Sequence, residues 1–255
     1  MAKLYVHRPP RISGTVPPDY RGLIYYRTRV DHREYAQTQL FQHLKFANLD
    51  QGRRLALAYP EEAAVCVAPS LFNRDRELLG IFNEPVQATL RASAPKKLPE
   101  WSPSNVDIVN ERVREAIEKR QPGKHLFIPI EVFGPHGCHR LYAFFVQRDH
   151  VQTPLALEAN QIAHTINEYG NPLVRAPSWI ASDQFAYLSA PVVDGVAVDF
   201  HATVGWILSK DLVEELGDVF PKGLYLVPMG VADEERTVKR WEPSAEVLTR
   251  LTASG

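Results

Sequence analysis

The chain has 255 residues, 45% of them hydrophobic and 23% charged, with a formal net charge of −1, a composition that excludes wholesale disorder and belongs to globular proteins. Two cysteines, Cys66 and Cys138, are too few for a disulfide framework or a four-thiolate zinc site and fit a reducing compartment. The charge is uneven, with 10 Lys/Arg against 4 Asp/Glu in residues 1–60 and 19 against 26 in the rest, but the N-terminal arginines are scattered through a proline-broken segment without an RNA-binding signature, so no nucleic-acid partner is expected.

"KLYVH" (3–7) alternates like a strand, and "GLIYYRTRV" (22–30) reads as another after the turn-forming "VPPDYRG". Tyr35 to Leu49 has a helical pattern, with Leu40, Phe41, Leu44 and Phe46 gathered on one side. "RRLALAYP" (53–60) and "AAVCVAPS" (63–70) read as strands, which makes Cys66 a small core residue. Prolines and small polar residues cluster in "RASAPKKLPEWSPSN" (91–105), and this is the expected boundary between an N-terminal α+β segment, 1–97, and a second domain, 98–255.

Beyond the boundary, Asn110 is placed to cap a helix with Val113, Ala116 and Ile117 at helical spacing, which "QPGK" (121–124) ends. "HLFIPIEVF" and "RLYAFFVQR" are two strands joined by a six-residue loop, "GPHGCH". Thr153 and Pro154 open a further helix running to Tyr169, and Asp194-Gly195 in "VVDGVAVDF" predicts a short hairpin with its tip on the surface. No apolar run has signal-peptide or membrane-spanning length, so a cytoplasmic protein without a membrane partner is expected.

The most informative feature is internal. Ile108–Val132, "IVNERVREAIEKRQPGKHLFIPIEV", aligns without a gap with Ile207–Val231, "ILSKDLVEELGDVFPKGLYLVPMGV", 99 residues later. Asn110 falls on Ser209, Val113 on Leu212, Ile117 on Leu216, Pro122 on Pro221 and Pro129 on Pro228. Each copy reads as a strand end, a capped helix, a Pro/Gly break and a strand. The expected fold class is therefore α+β: two related helix-strand units with a mixed sheet, plus N-terminal strands.

"LPEWSPSNVDIVNERVREAIEKRQPGKHLFIPIEVF", followed about 75 residues later by "ILSKDLVEELGDVFPKGLYLVPM", resembles immunity protein family 11 of bacterial polymorphic-toxin and type VI secretion systems. The likeness covers roughly residues 98–231: an LP-aromatic entry, a capped helix, a Pro-Gly step and an aromatic-rich strand, then a second capped helix with "KGL" and a strand ending in proline. It departs at Asn110, where serine is usual, and over Asn171 to His201. The resemblance implies a small cytoplasmic protein that binds and neutralises a cognate toxin, without enzymatic chemistry and without a cofactor.

Catalytic signatures do not displace that reading. The chain has no G-x-S-x-G, P-loop, G-x-G-x-x-G or H-E-x-x-H. Only "HGCH", with His136, Cys138 and His139, groups potential metal ligands, and a zinc site there needs a fourth ligand, such as His125 or His150, or a water. A metal-dependent or hydrolytic enzyme using these three residues is the first alternative, and an adaptor or chaperone that loads an effector is the second. The sharper charge pattern is an acidic stripe of Asp211, Glu214, Glu215 and Asp218 at i, i+3, i+4 and i+7, opposite Leu212, Leu216 and Val219. The first repeat has Arg112, Glu115, Ala116 and Lys119 there, so the scaffold does not require the acids and they are the candidate partner-binding residues.

Overall fold

A computed structural model describes residues 11–12, 16, 20–30, 39–57, 71–72, 85–102, 106–147, 163–166, 172–175, 186–189, 191–198, 206–217, 219–220 and 223–232. The fold is α+β and mostly sheet. In chain order the strands are β1 (Arg11–Ile12), β2 (Ile24–Val30), β3 (Leu44–Phe46), β4 (Leu71–Phe72), β5 (Val86–Leu90), β6 (Trp101–Ser102), β7 (Asp107–Val109), β8 (His125–Gly134), β9 (Gly137–Gln147), β10 (Ala163–Ile166), β11 (Pro172–Arg175), β12 (Ala186–Leu188), β13 (Val196–Val198), β14 (Trp206–Ser209) and β15 (Leu224–Val231). Among the described residues three α-helices punctuate them: α1 (Leu49–Leu57), α2 (Glu111–Arg120) and α3 (Lys210–Leu216). Among the described residues no helix is long and apolar enough to cross a membrane.

Two mixed sheets carry the architecture. The first has the order β3-β5-β8-β9-β7-β6 with β4 beside β9, and the second β1-β15-β2-β14-β13 with β12 beside β15. Strands from before residue 98 enter both: β2 lies between β14 and β15, and β5 pairs in parallel with β8. Both sheets thus cross the 97/98 position.

The repeat forms the same unit twice. β7, α2 and β8 make one copy and β14, α3 and β15 the other, each element starting about 99 residues after its counterpart. Asn110 Oδ1 accepts from Val113 N at 3.0 Å and Ser209 Oγ from Leu212 N at 3.3 Å, so each cap satisfies one of the free N–H groups of its first turn. The likeness extends beyond the aligned segments. β9 runs antiparallel between β7 and β8, as β2 does between β14 and β15. Tyr142 faces Val109 and Pro129; Tyr26 faces their equivalents Leu208 and Pro228. Each half is therefore a three-stranded sheet with a crossover helix, but the central strand of the second half is supplied from the N-terminus.

One core joins the halves. Val109, Val113, Ile117 and Phe144 from the first meet Trp206, Leu208, Leu212, Leu216 and Leu226 from the second. Phe127 stacks on Phe144 at 4.9 Å between centroids, and Phe144 on Trp206 at 5.0 Å, so an aromatic column crosses from sheet to sheet. Trp101, fully buried, lies edge-on to both Phe144 and Trp206. A second core, on the other face of the first sheet, packs Leu40, Leu44 and Leu55 on Ile108, Ile128, Ile130, Leu141 and Phe145.

Several elements differ from expectation. Tyr35–Leu49 is not a helix where described: Leu40–His43 is one 3-10 turn and Leu44–Phe46 a strand, because Leu40 and Leu44 are spent on the second core. Most of "RRLALAYP" belongs to α1, which Asn48 caps by accepting from Asp50 N and Gln51 N; buried Gly52 and Leu55 show the helical spacing. Residues 163–166, placed in a helix from Thr153, pair as a strand with 172–175. Asp194-Gly195 does not turn a hairpin, since β13 pairs with β14. Residues 3–7 and 63–70, with Cys66, lie outside the described residues.

A fragment of residues 98–255 would lack β2, leaving β14 and β15 without their shared partner and the apolar face of the second sheet open to water. We expect it to show no cooperative thermal unfolding by circular dichroism under conditions where the full chain does.

Candidate functional site

The acidic stripe lies beside the basic end of α2. Asp211, Glu214 and Glu215 are exposed on α3; Asp218 lies outside the described residues. Glu215 turns toward α2, with its Oε2 2.7 Å from Arg120 Nη2 and 3.8 Å from Lys119 Nζ. Glu214 sits 3.5 Å from Lys210 Nζ, one turn earlier on α3. The Asp211 carboxylate carries no ion pair among the described residues, while its carbonyl accepts from Arg120 Nη2 at 3.3 Å. Part of the stripe therefore holds the two repeats together, and among its described acids Asp211 and Glu214 are the ones left facing outward.

Arg120 continues this seam inward. Its side chain is nearly buried, and Nε lies 3.3 Å from Asp194 Oδ1. Asp194 accepts from the Ser209 hydroxyl, whose oxygen accepts in turn from Gly195 N at 3.0 Å. Gln121, at the end of α2, bonds the backbone of β13 as a neighbouring strand would: its Oε1 accepts from Val196 N at 2.8 Å and its Nε2 donates to Val196 O at 3.1 Å, on the side of β13 turned away from β14. His125 Nε2 lies 2.9 Å from the same Oε1. Gly195 adopts a φ of +131°, and a Cβ there would sit 2.3 Å from Gln121 Oε1, so glycine is required where the amide approaches the backbone.

A third polar group lies where α2 meets the first sheet. Tyr142 donates to Glu111, Glu111 also accepts from Arg114 Nε at 3.0 Å, and the Arg114 guanidinium covers the Tyr142 ring at 5.2 Å. The hydrogen bonds from Arg114 and then Tyr142 hold the Glu111 carboxyl below the usual carboxylate range. Burial, followed by the bond to Glu111, pushes Tyr142 up, so the phenol stays protonated and acts as a donor. Glu215 is likewise lowered, by its hydrogen bond from Arg120.

The residues of "HGCH" are arranged by the β8–β9 hairpin. Its connection is shorter than the expected six residues: the strands continue to Gly134 and Gly137, leaving Pro135 and His136 as the turn, with Gly137 at a φ of +119°. Cys138 and His139 follow each other on β9 opposite Phe133 and Val132, and successive strand residues point to opposite faces. Cys138 is exposed, and His139 lies on the face that carries the second core. His125, at the far end of β8, is about 27 Å from Cys138 along the strands. Among the described residues no group of three or more His, Cys, Asp or Glu side chains is gathered as metal ligands; His150 is outside them.

No family model and no curated protein matches the chain. The resemblance to the immunity family rests on the residues quoted for it.

Arg120 and Gln121, the centre of the seam, carried no signal of their own in the sequence. They close a helix whose last turn is charged, directly before Pro-Gly. The only trace is that the second repeat has apolar Val219 and Phe220 in their place, so the first copy alone is built to reach across.

Both lowered carboxyls link stability to pH. Glu111 and Glu215 stabilise the fold fully above the unfolded-state value of about 4.3, and this contribution is lost as pH falls through their lower folded-state values. We expect the Glu111→Gln, Glu215→Gln double variant to lose stability at pH 7 and to show a shallower decline between about pH 5 and pH 2, measured as the urea midpoint against pH.

Proposed function

We propose that this chain is a cytoplasmic immunity protein that binds a cognate bacterial toxin stoichiometrically and neutralises it without chemistry of its own. The observation that carries the reading is the resemblance over residues 98–231, whose two most similar stretches form the two matching helix-strand units. Scaffold residues dominate that likeness. A binder needs only a stable, well-packed scaffold and a surface of roughly 800 Å² for its partner, and the fused core of the two halves supplies the rigidity that keeps binding from costing conformational entropy.

Of the described acids of the stripe, Asp211 and Glu214 are the ones available to a partner, and Asp218 stays with them as a candidate. Their charge favours encounter with a basic surface, an effect expressed mainly in the association rate and weakened by salt. Glu215 serves the fold through Arg120 and Lys119.

Co-expression with the product of the adjacent reading frame tests the reading. Survival of cells otherwise killed by that product, together with a complex of fixed stoichiometry on size exclusion, is the expected result. Binding without survival would replace immunity with the loading-adaptor reading, and absence of any complex would remove both. The Asp211→Lys, Glu214→Lys variant is expected to protect less well, and undiminished protection would remove the stripe from the interface.

A further inference from the structure

The likeness of the two halves reaches beyond three strands. β5 runs parallel to β8, and β12 runs parallel to β15. The pairings begin at equivalent residues, Val86 facing Ile130 and Ala186 facing Met229. On the other side β6 is antiparallel to β7 and β13 to β14, with Trp101 facing Val109 and Val196 facing its counterpart Leu208. The cap residues extend this pairing alike, since Asn110 N donates to Glu100 O at 2.8 Å and Ser209 N to Gly195 O at 2.9 Å. Each half thus has five strands and one helix, in the orders β5-β8-β9-β7-β6 and β12-β15-β2-β14-β13. Every neighbouring pair runs in the same relative sense in both.

Contacts between the halves are reciprocal, as in an isologous pair where residue i meets j and j meets i. α2 and α3 pass in opposite directions: Arg112, near the start of α2, donates to Glu215 O, and Arg120, at its end, donates to Asp211 O. Gln121, directly after α2, reaches Val196 of β13. At the counterpart positions Phe220 lies against Trp101 of β6, with 5.4 Å between ring centroids. The equivalence of Trp101 with Val196, set by pairing within the sheets, is therefore met again in the contacts between them. A pseudo-twofold axis relates the two units.

They differ in one connection. β8 turns into β9 through Pro135 and His136. In the second unit the end of β15 lies beside the start of β2 in the same way, Gly230 facing Ile24 as Glu131 faces Arg140, but β2 lies far ahead of β15 in the chain. Tyr20 stands at the break, where the shared register gives it the place of His136. Its hydroxyl donates to Leu23 O, just before β2, and accepts from Val231 N, the last residue of β15, both at 2.8 Å. The phenol lies against Gly230, where a Cβ would collide with it, and its ring packs on Tyr187 of β12 at 6.2 Å.

We infer that the chain holds two copies of one six-element unit about this axis and that the second copy is circularly permuted. β2 is its closing strand, placed ahead of the first copy, and Tyr20 is a clasp that holds the position of the lost turn. This assignment is independent of the immunity reading. Two unrelated β-α-β units could share strand directions, but neither the reciprocal contacts nor a bridging side chain at the turn position would follow from that.

The test gives the second copy its closing strand in the order of the first. In the full chain Thr28→Pro interrupts β2 between its neighbours and removes the oxygen that accepts from Trp206 N. It is expected to lower the thermal midpoint by about 10 °C or more. The same variant carrying an unaltered second copy of residues 16–38 after Gly255, on a flexible glycine-serine linker, should regain most of that loss, because β2 then follows β15 as β9 follows β8. An added copy that itself carries Thr28→Pro should regain nothing. If Thr28→Pro abolishes the transition, its return is the readout. No recovery with the unaltered copy, or equal recovery with both, would overturn the permutation; so would a Thr28→Pro chain as stable as the wild type. Tyr20→Phe is expected to lower the midpoint by about 2–4 °C, and an unchanged midpoint would overturn the clasp.

Discussion

The stack of Phe127, Phe144 and Trp206 is the contact on which the two halves depend. Phe144 is central to the first sheet and Trp206 opens the repeat strand of the second, so their ring contact fixes both the separation and the alignment of the sheets. Large aromatic side chains bury about 150 to 250 Å² each, and here they do so where neither sheet alone could cover them. Trp101 closes the side of the column, with Phe220 5.4 Å away. The residues that hold α2 to α3 work at the margin of this core: the Arg120 contacts with Glu215 and Asp194 close a rim that the column has already made dry.

The two units are alike in backbone and unlike in what they do. The first uses its last helical turn to reach outward, Arg120 to Asp194 and Glu215, and Gln121 to the side of β13 turned away from β14. The second receives these contacts and has apolar Val219 and Phe220 at the equivalent positions, both buried. A duplicated frame has thus been divided into a reaching half and a receiving half. The acids of α3 follow from the same division, since Glu215 answers a cation that only α2 carries, while Asp211 and Glu214 have no such duty.

What could be read from the sequence follows from how local each signal is. The capped helices and the strands after them are specified by contiguous residues, so both repeats were legible, as was β2 from its alternating pattern. The equivalence of β2 with β9 was not. Between 25–30 and 141–146 only Tyr26 with Tyr142 and Val30 with Val146 are identical, and β2 precedes its partners in the chain where β9 follows its own. Trp101 was hidden by its surroundings: a proline-rich stretch reads as a linker whether or not one of its side chains fills the core. Asp194-Gly195 carried a correct signal with another cause, the positive φ serving the approach of Gln121 and not a hairpin. As for the site, the exposed acids were visible as a helical stripe, whereas the contacts of Arg120 and Gln121 were not, because their partners lie about 75 residues or more away in the chain and only the fold brings them together.

The position of β2 also sets an order on synthesis. Thr28 accepts from Trp206 N across 178 residues of sequence, so the strand leaves the ribosome long before either of its neighbours exists. At about 5 to 20 residues per second, the wait is on the order of 10 to 40 s, ample time for the first half to close its own sheet. For that interval a β-rich segment has both hydrogen-bonding edges unoccupied, and its arginines, Arg27 and Arg29, are the residues that discourage it from pairing with another nascent chain.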